Sequence, residues 1–182
     1  MTKKTSPDPH TLVRSLEGLP CWYVSCGGCT LPTFQLALGD KVRRAVALKN
    51  LAHPEEYRHY EGEANLLVWC TWRLDGPEGP LTSSDDTADA ITRNLDRLRD
   101  AKVRSASLTP NTWDLRVSFR NRLKLTVFCD HVPGDPSFDG NWELWLRNLS
   151  LIVGPGNRWS VEERSDLPAA PPSGEKPLSV AE

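Results

Sequence analysis

The chain has 182 residues, 38% hydrophobic and 25% charged, which suits one ordinary domain with a real core and excludes a disordered chain. Its formal charge is −2, and Lys and Arg are scattered without a basic stripe, which argues against a nucleic-acid partner. Residues 66–70 and 149–153 are the longest apolar runs and are too short to cross a bilayer; no apolar signal segment follows the polar residues 1–10. Five cysteines, an odd count, point to reduced thiols. The expectation is a cytoplasmic protein without membrane attachment.

In chain order, residues 1–9 read as a frayed start and 9–16 as a short approach helix. Residues 20–25 and 34–38 read as strands, the second alternating Phe34, Leu36 and Leu38 on one face. Gly39 and Asp40 read as a hairpin turn into a strand over 42–48. Residues 50–62, rich in His, Glu and Tyr, form a surface loop with room for one helical turn, and 65–75 a long strand.

One main helix follows Thr82, Ser83 and Ser84, with Asp85, Asp86 and Asp89 near its positive end and Ala88, Ile91, Leu95 and Leu98 as its apolar stripe. Strands are expected over 103–108, 113–119, 123–129, 142–147, 149–153 and 158–162, with turns at Pro110-Asn111 and Arg120-Asn121. Residues 166–182, with Pro168, Pro171, Pro172 and Pro177, read as a disordered tail. The fold class is α+β and β-rich: antiparallel meanders with one main helix packed on the sheet.

An internal duplication organises these elements. Residues 16–18, 21–24, 34–40 and 42–46 align with 98–100, 103–106, 115–121 and 123–127. Glu61-Gly62, Leu66, Val68 and 74–77 then align with Asp139-Gly140, Leu144, Leu146 and 152–155. The reading is a single domain over 10–165 made of two diverged repeats, about 10–80 and 83–162.

Chemical motifs are few. Cys26-Gly-Gly-Cys29, with Cys21 upstream, has the spacing of a zinc knuckle or redox pair, but no second pair completes four ligands, leaving His10, Cys70 or Cys129 to do so through the fold. His53, His59 and His131 lie among acidic residues, yet no nucleophile motif, phosphate loop or dinucleotide fingerprint accompanies them. No cofactor is implied. Seven tryptophans stand out. Trp69 and Trp72 are three apart, as are Trp142 and Trp145, so regular alternation places the members of each pair on opposite faces. Trp72-Arg73 and Trp145 with Arg147 have the composition of interface hot spots.

Residues 67–74, the helix, 113–119, 125–130, and 141–142 through 153–155 resemble an uncharacterised, duplicated bacterial family and, more loosely, small α+β immunity-type proteins that neutralise toxins. The resemblance implies a bacterial cytoplasmic protein that works by binding another protein. The expected contact residues are Trp72, Arg73, Glu55, Glu56, Tyr57, Trp145 and Arg147. The alternatives are a metal-binding protein or metal-dependent enzyme organised by Cys21, Cys26 and Cys29, and a structural subunit whose repeats form a dimer surface.

Overall fold

The computed structural model describes residues 7–26, 33–134 and 140–164. The expected tail over 166–182 lies outside them. Asp8 caps helix α1 (Pro9–Arg14) by accepting from the Thr11 amide, and the first helical position is the buried Pro9, which needs no amide partner there. Asp8 and Pro9 are therefore ordered, against the expected fraying of 1–9, of which residues 1–6 lie outside the described residues.

Strands β1 (Cys21–Cys26) and β2 (Phe34–Arg43) come next, then the short helix α2 (Glu55–His59) and β3 (Tyr60–Val68). The hairpin expected at Gly39-Asp40 is absent: β2 runs through both residues, and the β2–β3 ladder shifts register between Leu38 and Lys41. Gly39 takes φ 76° there, a conformation glycine adopts without a Cβ clash. Across the bulge, a Cβ on Gly62 would come within 2.6 Å of the Leu38 backbone nitrogen, so this strand position admits only glycine.

The expected long strand over 65–75 is two strands. The chain leaves β3 at Val68 and re-enters as β4 (Trp72–Gly76), which pairs with β5 (Gly79–Ser83) in a different sheet. Because 79–83 is a strand, helix α3 (Ala88–Leu95) starts later than expected, with Thr87 as its cap. Ile91, Leu95 and Leu98 bury the anticipated stripe, while Ala88 is exposed. The remaining strands fall close to expectation: β6 (Val103–Leu108), β7 (Leu115–Phe119), β8 (Lys124–Val127), β9 (Trp142–Leu146), β10 (Leu149–Gly154) and β11 (Arg158–Glu163).

Two antiparallel sheets result. One has six strands in the order β1, β2, β3, β9, β10, β11, and the other five in the order β5, β4, β8, β7, β6. Each three-strand meander thus sends its next strand across to the opposite sheet: β4 joins β8, and β9 joins β3. The exchange interlocks the halves around one continuous apolar core that draws on both sheets and on α1 and α3. Trp72 and Trp142, the first residues of the crossing strands, are both fully buried in it.

The approach segments of the two halves also pair with each other. The Gly18 amide donates to the Val103 carbonyl at 2.9 Å, and the Asp100 amide to the Cys21 carbonyl at 2.6 Å. Gly18 and Asp100 both have positive φ, and both edge ladders shift register just after this point, between Cys21 and Tyr23 and between Val103 and Ser105. The expected alignment of 42–46 with 123–127 does not match the strand pairing. The strand that returns beside β2, as β8 returns beside β7, is β3 and not residues 42–46. Among the described residues no helix is long and apolar enough to cross a membrane.

Candidate functional site

The two meanders close differently. Between β7 and β8 the chain turns in a few residues, the Phe119 amide donating to the Leu123 carbonyl. Between β2 and β3 it makes a long excursion over residues 44–59, pinned at its base by the Arg44 amide donating to the His59 carbonyl. The excursion folds back onto the outer face of the six-stranded sheet. Tyr57, from α2, stacks on Tyr23 of β1 with ring centroids 4.0 Å apart, and the two pack with Ala37, Trp22 and Leu48 as a second apolar cluster separate from the main core. His53 stands edge-on to Tyr57 at 5.0 Å, and its Nδ1 lies 3.1 Å from the Tyr23 hydroxyl.

A buried ionic clamp holds the same face. Glu61 of β3, only 6% exposed, accepts from Arg44 at 3.0 Å and faces Arg164 at 3.5 Å. Each guanidinium also covers a ring, Arg44 over Tyr57 at 5.0 Å and Arg164 over Trp145 at 5.3 Å. A planar cation stacked on an aromatic face keeps its edge free for carboxylate, so each arginine serves two partners.

Beside the excursion lies an open cleft of about 620 Å³, lined among others by Tyr23, Cys26, Gln35, His53, Trp69 and Arg99. Asp96 orients Arg99 through contacts of 2.7 and 2.9 Å, and the guanidinium sits over Tyr23 at 5.6 Å. Burial raises the Tyr23 phenol and the Cys26 thiol above their ordinary ranges. A raised thiol is a poor nucleophile. The cleft therefore offers aromatic faces, hydrogen-bonding groups and a guanidinium, a set suited to contact with a partner.

The expected contact residues divide among three places. Glu55 and Glu56 are exposed on α2, Glu56 paired with Lys41. Tyr57 is buried beneath them, and burial raises its phenol. Trp145 is half-buried on the same outer face, opposite Asn65 of β3, and donates its indole N–H to Glu143 at 2.6 Å; Arg147 is exposed just beyond. Arg73 is exposed on the other sheet, clamped to Asp75 at 2.8 Å. Trp72 is a correction: its relative exposure is 0%, its ring meets Phe34 edge-on at 5.0 Å, and it presents nothing to a partner. Tyr23, Arg44 and Arg164 were not singled out in the sequence, and Glu61 only in the repeat alignment; the spacing of four between His53 and Tyr57 is a local hint of this layer.

The cysteine set is also corrected in part. Cys21 lies in the main core, donates to the Tyr23 carbonyl, and is pushed up to about 12 by burial. Five residues of strand, each rising roughly 3.3 Å, separate it from Cys26. Two thiolates on one zinc lie within about 4.6 Å of each other, so Cys21 and Cys26 cannot share an ion. Cys29 lies outside the described residues, and among those described no cluster of three or more His, Cys, Asp or Glu side chains could hold a metal.

His53 gives this layer a pH dependence. Burial, and then the Arg44 charge, lower its pKa below the ordinary histidine value, which favours the neutral ring beside the Tyr23 hydroxyl. A group depressed in the folded state adds stability above its unfolded pKa, near 6.5, and that stability is lost as pH falls through the lower folded value. The melting temperature is expected to fall between pH 7 and the acid side of 6.5, and His53→Gln to flatten that part of the profile. An unchanged slope in His53→Gln would assign the effect elsewhere.

Comparison with protein-family models, curated proteins and solved structures gives no match.

Proposed function

We propose that this is a non-enzymatic protein-binding module of the bacterial cytoplasm, of immunity or other defence-associated type, arisen by duplication of one helix-and-meander unit. Its docking surface is the layered outer face of the six-stranded sheet. The observation that carries this reading is the excursion over 44–59. The second meander closes with a short turn, so the long closure of the first is not required to make the sheet. It nevertheless carries its own aromatic packing, and on its outside Val46 and Leu51 are 75% and 79% exposed. Exposed apolar side chains on the same excursion as packed aromatic rings, with charges at the rim, have the make-up of an interface core. The immunity-type assignment rests on the family resemblance, and the duplication on the shared strand exchange and shared backbone turns of the two halves.

Excising the excursion tests the reading. Arg44 and His59 are already paired, so an Asn-Gly turn can replace residues 45–58. The main core is untouched by this change, and the variant is expected to keep its circular dichroism with a lowered melting temperature. It should lose the partner that the intact chain retains through purification from its native host. A folded variant that keeps the same partner in the same yield would move the docking surface elsewhere.

A further inference from the structure

We propose that the outer face of the five-stranded sheet is a second docking surface, one that receives an acidic protein surface. It goes beyond the excursion reading and uses none of its residues. In the sequence the cations concerned are far apart; strand pairing gathers them. One cross-strand row reads Ser107, Arg116, Thr126, Arg73, Ser83, and the next Ser105, Ser118, Lys124, Asp75. Arg104 and Arg122 extend the second row at its rim, where they border a shallow depression with Ser118 and Lys124. The inward neighbours of these residues, among them Leu74, Leu115, Val117 and Leu125, are buried in the core, so alternation commits the polar set to the outside.

The charges on this face are unbalanced. Arg73 is satisfied by Asp75, but Arg104, Arg116, Arg122 and Lys124 have no carboxylate partner among the described residues. Like charges on adjacent strands repel and lower the stability of their own sheet. A chain of net charge −2 has carboxylates to spare for such a face, and here they lie elsewhere. Serine and threonine hydroxyls between the cations supply short hydrogen-bonding groups, which fits carboxylates interleaved with neutral polar groups on a facing protein.

A nucleic acid fits less well. Single-stranded recognition on a sheet uses exposed aromatic rings as stacking platforms, and of the rings bordering this face Phe128 is half-buried and Phe119 buried. A flat sheet also offers no element to enter a groove, and the Asp75 carboxylate sits within the second row.

The test uses the full chain and a fluorescein-labelled ten-residue oligoglutamate peptide, with a twenty-residue oligothymidylate of the same label as the nucleic-acid arm, read by anisotropy at low salt. Saturable peptide binding is expected, weakened at least tenfold in Arg116→Glu/Lys124→Glu and unchanged in Glu55→Lys/Glu56→Lys. The melting temperature of the first variant should stay near that of the parent, because both side chains are exposed and the repulsion lost at Arg116 offsets the like charge placed opposite Asp75. Arg104→Ala/Arg122→Ala, with smaller side-chain changes at the rim, should weaken peptide binding in the same direction. Absence of saturable peptide binding, equal binding by the charge-reversed variant, or tighter binding of oligothymidylate through the same residues would each overturn the proposal. None of these outcomes bears on the excursion, whose own variants stand apart.

Discussion

Replacing Trp72 with alanine is expected to cost about 3–5 kcal/mol, the range for truncating a large aromatic side chain in a packed core. For a chain of this size that corresponds to a fall of roughly 10 °C or more in melting temperature. The expectation follows from its place in the exchange of strands. Trp72 opens β4 opposite Val127 of β8, and it packs on Phe34 of β2, so one side chain joins the two sheets at the point where the chain passes between them. Trp142 opens β9 opposite Val68 of β3, and its indole N–H donates to the Trp113 carbonyl at 3.2 Å. Trp142→Ala is expected to cost a similar amount. Arg73→Ala, one residue beyond Trp72 and facing outward, should stay within about 0.5 kcal/mol of the parent. Thermal unfolding of the three variants checks this, and a Trp72→Ala protein as stable as Arg73→Ala would refute the buried placement.

Glu61→Gln is the second large effect. Its carboxylate is buried between Arg44 and Arg164, whose side chains are 13% and 9% exposed. Neutralising it leaves two enclosed guanidinium groups facing an amide. Breaking a buried ion pair from one side costs about 3–5 kcal/mol, because the remaining charge stays desolvated. The contrast with the exposed pair of Lys41 and Glu56 is diagnostic, since solvent-exposed pairs contribute about 0–1 kcal/mol. Urea unfolding should show a lower midpoint for Glu61→Gln with an unchanged slope, as a change of stability alone predicts. Replacing the whole clamp by apolar residues, Arg44→Met with Glu61→Leu and Arg164→Met, should recover much of the loss. A cost below about 1 kcal/mol for Glu61→Gln would make the clamp a surface pair and the excursion loosely held.

These effects show where the sequence was readable. Strands whose apolar residues alternate cleanly, such as Leu115, Val117 and Phe119, were found within a residue or two, and so was the stripe of α3, because each is a local pattern tied to one buried face. The crossing between sheets was invisible for the opposite reason. Residues 66–74 are apolar enough to read as one strand, and nothing local marks the step at Cys70 and Thr71 where the chain changes partners. The parity argument for Trp69 and Trp72 assumed one regular strand and does not apply, because the chain changes sheets between them. It could not say which faced the core, and the choice of Trp72 as the contact residue failed there: Trp69 lines the cleft and Trp72 is enclosed.

The hairpin at Gly39-Asp40 failed because a glycine followed by an acid between apolar runs suits a bulge as well as a turn. The Glu61 clamp was unreadable because its partners Arg44 and Arg164 lie on opposite sides of it in the chain, and only folding brings all three together. The basic face of the five-stranded sheet is of the same kind, cations separated in sequence and united by register.

The most direct measurement of the central claim is site-specific photo-crosslinking in the native host, with a benzophenone amino acid at Leu51 on the excursion and, as a control, at Arg14 on the exposed side of α1. Both positions are exposed, so incorporation leaves the core intact. The account predicts a discrete higher-mass adduct with one protein from position 51 and none from position 14. Equal adducts from both positions, or none from position 51, would contradict docking on the excursion.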